Sequence, residues 1–147
     1  MLTASKYWLV FLILAIPTLN SCYSSKHNKT GVENAMKYYD HLILNLDADS
    51  IALLFTPTGN LGDIAVGRDS IKKFLSTFKN VRVLSQNSIT NAINITHDTA
   101  IQKGTYQQTD IISEKDTVRV KGEYIATWFW QPKEGWRIKK MTTKSTN

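Results

Sequence analysis

Apolar residues recur at every third or fourth position from Val32 to Leu46, which predicts a helix with one buried face. A second helix follows directly. Its first turn is capped by Asp47 or Asp49, because a carboxylate accepts hydrogen bonds from the free backbone amides there. Pro57 is predicted to end this helix, since proline lacks the amide hydrogen that a helix interior needs.

The next segment predicts a loop, a short strand and a third helix. Residues 58–67 contain three glycines and form the loop, with the strand at Asp63 to Val66. The third helix begins near Arg68, with Asp69 or Ser70 at its cap. The apolar residues of this helix recur at helical spacing and form its buried face: Ile71, Phe74, Leu75 and Phe78.

After Asn80 the apolar period falls to two, which predicts strands joined by short turns. Strands are predicted at 81–89 with 93–95, at 99–109, at 118–131 and at 136–143. The third of these shows the clearest alternation, with one face formed by Val118, Val120, Gly122, Tyr124, Ala126, Trp128 and Trp130. Helices followed by hairpin-linked strands predict one α+β domain, with three N-terminal helices packed on a mostly antiparallel sheet.

The first 22 residues carry a different pattern. Lys6 precedes an apolar run at residues 7–16, which is shorter than the ~20 residues that span a bilayer. Leu19-Asn20-Ser21-Cys22 then resembles the lipobox of bacterial lipoproteins. The resemblance implies a signal peptide at 1–21 and a lipid on Cys22, followed by a flexible tether at 22–31 and the domain at 32–143.

This resemblance also implies a location. The expected place is the bacterial cell envelope, with the lipid in the outer membrane and the domain facing the periplasm. Tyr23 after the cysteine and the lack of acidic residues at 24–28 favour that membrane and that side. Cys22 is the only cysteine, so no disulfide is expected.

The amino-acid composition of the chain limits the kinds of binding partner that we expect. The chain is 42% hydrophobic and 20% charged, with a formal net charge of +6. The basic residues are dispersed, with small groups only at Lys72-Lys73 and at 137–140. A solvated surface explains such dispersed charge, and we expect no nucleic-acid partner. His27, His41 and His97 show no metal-binding spacing, and we expect no metal and no cofactor.

Local sequences in the predicted domain resemble the nuclear-transport-factor-2-like superfamily, also described as SnoaL-like, DUF4440-like or cystatin-like. The segments that carry the resemblance keep the family's order and spacing: 47–50, 67–71, 97–101, 122–128 and 135–138. The resemblance implies a curved sheet wrapped around a long first helix, forming a cone with an apolar pocket. It also implies pairing of two copies through the outer sheet face, where Ile125 and Phe129 stand.

Six residues are candidates for the wall of the implied pocket: Tyr39, Asp63, Phe74, Tyr106, Tyr124 and Trp128. In the steroid isomerases of this superfamily a carboxylate base lies near the position of Asp63. Tyr39 is placed to donate a hydrogen bond opposite it. Those enzymes also use a second acid on a later strand, where this chain offers tyrosines and no inward acid. Asp63 as a turn residue and Tyr39 as a core aromatic are the structural alternatives.

Three functions follow from these observations. The first is a lipid-anchored envelope protein that binds a small apolar ligand or a protein partner without catalysis. The second is a cofactor-free isomerase, dehydratase or cyclase that uses Asp63 and Tyr39. The third is a structural or interaction module whose cone is filled by its own side chains, with Trp128 and Trp130 as core.

Overall fold

Helices and strands segregate along the chain in the computed structural model, which describes residues 27–113 and 116–146. The described helices are α1 (Lys29–Asn45), α2 (Ala48–Leu54), α3 (Arg68–Leu75) and a 3-10 turn (Ser76–Phe78). The described strands are β1 (Phe55–Leu61), β2 (Ala65–Val66), β3 (Arg82–Thr96), β4 (Thr99–Ser113), β5 (Asp116–Gln131) and β6 (Gly135–Ser145). The predicted α+β class is confirmed. The expected signal peptide and Cys22 lie outside the described residues.

One six-stranded sheet has the order β2-β1-β6-β5-β4-β3. All neighbours are antiparallel except β1 and β6, which run parallel. Helix α1 packs against β3 and β6, so the helices cover one face and the sheet forms the cone that the resemblance implied. Within the described ranges no helix has the length and hydropathy to cross a membrane.

The inner face of the sheet follows the predicted alternation. Gly122, Tyr124, Ala126, Trp128 and Trp130 are buried along β5, and the residues between them are exposed or half-buried. Register places β4 residues 106, 108 and 110 opposite Gly122, Val120 and Val118, so these side chains share the inner face. The burial pattern of β5 and its register with β4 therefore identify which residues of these two strands face the inside of the cone.

The segment after α2 differs from its prediction. Helix α2 ends at Leu54, capped at its start by Asp47, whose side chain accepts from Ser50 N at 3.0 Å. Residues 55–61, expected as a helix end and a loop, form strand β1 beside β6. The ladder is irregular between Phe55 and Asn60, which accommodates Pro57 without a hydrogen bond from its nitrogen.

Two other boundaries also change. Gly67, with φ +83°, is the N-cap of α3, and no side chain caps it, so the expected cap at Asp69 or Ser70 is wrong. The strand expected as 81–89 and 93–95 is the single strand β3. An irregularity between Thr90 and Ala92 interrupts its pairing with β4, and this explains the break in the sequence pattern.

The described chain begins inside the segment expected to be a tether. Asn28 caps α1 by accepting from Gly31 N at 2.9 Å, so the helix starts three residues before Val32. His27 stacks on Trp130 with ring centroids 4.8 Å apart, and its Nε2 lies 3.1 Å from His97 O. The last residues of the expected tether are therefore packed against the domain.

Candidate functional site

An open cavity of about 510 Å³ lies between the helices and the inner sheet face. Its apolar wall comes from α1, α3 and the sheet strands and includes Met36, Ile43, Leu61, Phe74, Leu75, Phe78, Val83, Val120 and Met141. Its polar groups come mainly from β3 and β4 and include Gln86, Ser88, Tyr106, Gln108 and Asp110. The size and the mostly apolar lining are those of a small-molecule site.

Four of the six candidate pocket residues line this cavity: Tyr39, Phe74, Tyr106 and Tyr124. Trp128 and Asp63 do not. Trp128 is fully buried in the core, where its indole nitrogen donates to Gln102 Oε1 at 2.9 Å. Gln102 in turn donates to Thr90 Oγ1 at 2.8 Å. The side chain of Trp128 therefore packs in the hydrophobic core and does not line the cavity.

Asp63 lies on the exposed turn after β1, and its side chain is 68% accessible to solvent. Its backbone has φ +60°, and Asn60 Nδ2 donates to its carboxylate at 2.8 Å. Lys140 Nζ donates to the same group at 2.9 Å and, as the main cause, holds the pKa of Asp63 below its usual value. A solvated, ion-paired carboxylate outside the cavity is no base for a ligand inside it. The proposed Asp63–Tyr39 pair is therefore wrong as a catalytic pair.

The cavity nevertheless contains an acid that sequence reasoning missed. Asp110 on β4 faces inward and is only 8% exposed. Gln108, two residues earlier on the same face, donates from Nε2 to both carboxylate oxygens at 2.9 Å. The expectation of no inward acid is therefore wrong. The inner face of β4 carries several polar residues, so alternation of apolar residues did not identify it.

A second missed acid is Asp40, buried on α1. Ser88 donates to it from its backbone nitrogen at 2.9 Å and from its hydroxyl at 2.7 Å. Gln86 Nε2 donates at 3.0 Å. Three donors from β3 thus hold the helix against the strand behind the polar side of the cavity. The sequence signal was present, since Asp40 lies four residues after Met36 and three before Ile43, within the apolar stripe.

Two tyrosines of the cavity wall, Tyr39 and Tyr124, have raised pKa values. Burial raises the pKa of the Tyr39 phenol, and the nearby Asp40 carboxylate and Tyr106 add to the effect. Burial also raises the pKa of Tyr124, whose hydroxyl lies 3.4 Å from Thr90 Oγ1. Both hydroxyls remain protonated well above neutral pH, so they act as hydrogen-bond donors and not as anions.

Among residues 27–113 and 116–146 no group of three or more His, Cys, Asp or Glu side chains is arranged to hold a metal ion.

On the outer face of β5, Ile125 and Phe129 are 44% and 43% exposed. Ile101 on β4 is also exposed there, so the outer face presents apolar side chains to solvent.

Comparison with known proteins supports the fold and leaves the activity open. No family model matches the chain, and no curated protein matches it in sequence. Solved structures do match. A ketosteroid isomerase-like protein from Erwinia carotovora atroseptica has a TM-score of 0.71 at 14% identity, over 85% of this chain and 99% of that one.

Two further structures agree with it. A nuclear-transport-factor-2-like superfamily protein from Salmonella enterica serovar Typhimurium has a TM-score of 0.66 at 15% identity, over 80% and 90% of the two chains. A protein of unknown function from Mycobacterium tuberculosis has a TM-score of 0.70 at 18% identity, over 79% and 74%. The described domain therefore has the nuclear-transport-factor-2-like fold. Identities this low establish the fold and not the chemistry.

Proposed function

We propose that this protein is a lipid-anchored envelope protein that binds a small, mainly apolar ligand in the cone and does not catalyse a reaction on it. The observation that carries the proposal is the open cavity of about 510 Å³. Its wall is mostly aliphatic and aromatic, with a few polar groups gathered on β3 and β4. Such a site removes an apolar body from water and orients it by a few hydrogen bonds.

The loss of the Asp63–Tyr39 pair removes the proton-transfer mechanism that the sequence suggested. A general base must reach the proton that it removes, and Asp63 lies on the exposed turn. Asp40 reaches the cavity only through the Gln86 and Ser88 side chains that bond to it. The open space also argues against the third function, a cone filled by its own side chains.

The position of His27 indicates which end of the domain lies nearest to Cys22 along the chain. His27 contacts Trp130 and the turn before β4, whereas the cavity-lining residues of β4 are 106, 108, 110 and 112. From Asp98 to Asp110 is about 40 Å along the strand. Cys22 precedes His27 by five residues, or at most about 18 Å of chain. A lipid on Cys22 would hold the end of the domain that carries His27 and Trp130 near the membrane.

The ligand site is tested by filling it. Val120 lines the cavity from β5, and Val120→Trp places an indole in that space. We expect the protein to bind the neutral fluorophore N-phenyl-1-naphthylamine with a stoichiometry of one per chain. Val120→Trp should weaken this binding by about tenfold or more, the equivalent of one lost apolar side-chain contact. Fluorescence titration measures both quantities.

The matched control is Ile101→Trp, which adds the same side chain to the exposed outer face of the neighbouring strand β4. It should leave the affinity for the fluorophore unchanged. Equal affinities for the unsubstituted protein and Val120→Trp would show that the fluorophore binds elsewhere. That result would contradict the proposed site.

The lipid anchor is tested at Cys22. In a bacterial host that processes lipoproteins, Cys22→Ser removes the only thiol and should move the protein from the membrane fraction to the soluble fraction. The unsubstituted protein should carry the added mass of its acyl chains. Ser24→Ala is the control and should stay in the membrane fraction. A Cys22→Ser protein that remains membrane-bound would contradict lipid anchoring.

A second candidate function is self-association through the outer sheet face, favoured by the exposed Ile125, Phe129 and Ile101. Sedimentation velocity should find a dimer whose dissociation constant rises with Ile125→Asp, because the change buries a charge in an apolar contact. Thr117→Asp, exposed near the end of the same strand, is the control. A monomer at all concentrations would exclude this candidate.

A further inference from the structure

The charge of the cavity wall is opposite in sign to that of the chain. The formal net charge of the protein is +6, yet Asp110 is the only charged side chain among the described residues that line the cavity. The wall contains no lysine, arginine or histidine in the described part of the chain. Among the described residues, a ligand that enters therefore meets one charged side chain, and that side chain is acidic.

No cation in the described ranges neutralises Asp110. The ion pairs found there join other residues, and none includes Asp110. Asp110 pairs with Val83 and Val118, so the adjacent Arg82 and Arg119 point to the opposite face of the sheet. The carboxylate is thus buried beside apolar space with one neutral donor, Gln108. A carboxylate in such surroundings is destabilised until a cation or further donors reach it.

The carboxylate of Asp110 can accept more hydrogen bonds than the described residues donate to it. A carboxylate has about four lone-pair directions, and Gln108 occupies one on each oxygen. Asp40, the other buried acid of the described residues, differs because it does not line the cavity and already accepts three hydrogen bonds from β3. Asp40 still adds negative potential at the polar side of the cavity. Asp110 is therefore the charged group of the described cavity wall that can accept further hydrogen bonds from a ligand.

We propose that the ligand of this cavity is an apolar compound that carries an amine or other cationic nitrogen, which forms a charge-assisted hydrogen bond with Asp110. This inference rests on the proposed ligand-binding function and names the class of ligand. The apolar body lies against the aromatic and aliphatic wall around Phe74, Phe78 and Val120. The nitrogen supplies the positive charge that the described residues do not place beside Asp110. Apolar anions of the same shape are repelled.

The test uses three probes with one rigid apolar body: adamantan-1-amine, adamantan-1-ol and adamantane-1-carboxylate. Each is titrated into the full-length chain by isothermal calorimetry at neutral pH. The amine should bind about tenfold or more tightly than the alcohol, because charge-assisted hydrogen bonds are roughly twice as strong as neutral ones. The carboxylate should bind most weakly. Asp110→Asn should lower the affinity for the amine to that of the alcohol, with the alcohol little changed.

The matched control is Asp63→Asn, which removes a carboxylate from the exposed turn and should leave all three affinities unchanged. Equal binding of amine and alcohol by the unsubstituted protein would overturn the inference and leave the proposed function intact. An amine preference that survives Asp110→Asn would also overturn it. Binding of none of the probes would contradict the proposed function and this inference with it. The comparison of probes on the unsubstituted protein requires no variant to fold.

Discussion

Trp128→Ala is expected to lower the free energy of unfolding by about 4 kcal/mol, as for other large aromatic residues deleted from a core. Trp128 is fully buried on β5, so its loss leaves a cavity among closely packed neighbours. It also removes the donor to Gln102 Oε1, and that buried oxygen then lacks its partner. Urea denaturation followed by circular dichroism measures the change.

The control for this substitution lies one residue along the same strand. Phe129→Ala removes an aromatic side chain of similar size from the outer face, where it is partly exposed. The two denaturation midpoints should therefore differ clearly, with Phe129→Ala close to the unsubstituted protein. Equal losses of stability for the two variants would contradict the assignment of Trp128 to the core and Phe129 to the surface.

Asp40→Ala has the second largest expected effect, a loss of about 3 kcal/mol, because several buried donors lose their acceptor at once. The backbone nitrogen and hydroxyl of Ser88 and the amide of Gln86 all donate to Asp40. The oxygen of Gln86 has no hydrogen-bond partner among the described residues, so the loss of Asp40 removes the one side-chain hydrogen bond described for Gln86. Helix α1 is expected to loosen from β3. Thermal denaturation and hydrogen exchange of the Ser88 amide report the two effects.

Two further variants separate the network from a general loss of charge. Asp40→Asn keeps one acceptor oxygen and should fall between the unsubstituted protein and Asp40→Ala. Asp63→Ala removes an exposed carboxylate and should leave the midpoint nearly unchanged, because solvent screens its pair with Lys140. A stable Asp40→Ala protein with a protected Ser88 amide would show that the network does not hold α1 in place.

The elements with a strong and uninterrupted period were predictable from the sequence. The apolar stripe of α1 and the alternation of β5 both have one buried face, and both predictions match the structure. The same alternation placed Ile125 and Phe129 outside correctly. Strand β1 was not predictable, because Thr-Pro-Thr-Gly-Asn has the local composition of a turn. Pairing with β6 and β2 overrides that preference.

The candidate site was predictable only in part. Tyr39 and Tyr124 followed from apolar periodicity, and both line the cavity. Asp63 was assigned to the pocket from a resemblance, yet the φ of +60° at Gly62 and at Asp63 turns the chain outward. Asp110 was missed because both faces of β4 mix polar and apolar residues. Only pairing with β5, a contact distant in sequence, shows which face is inside.

The most direct test of the cavity as a ligand site is a crystal structure of the protein grown with adamantan-1-amine. The structure predicts electron density for the adamantane body between Phe74 and Val120, with its nitrogen within hydrogen-bond distance of Asp110. A cone closed by its own side chains, with no density inside it, would contradict the account.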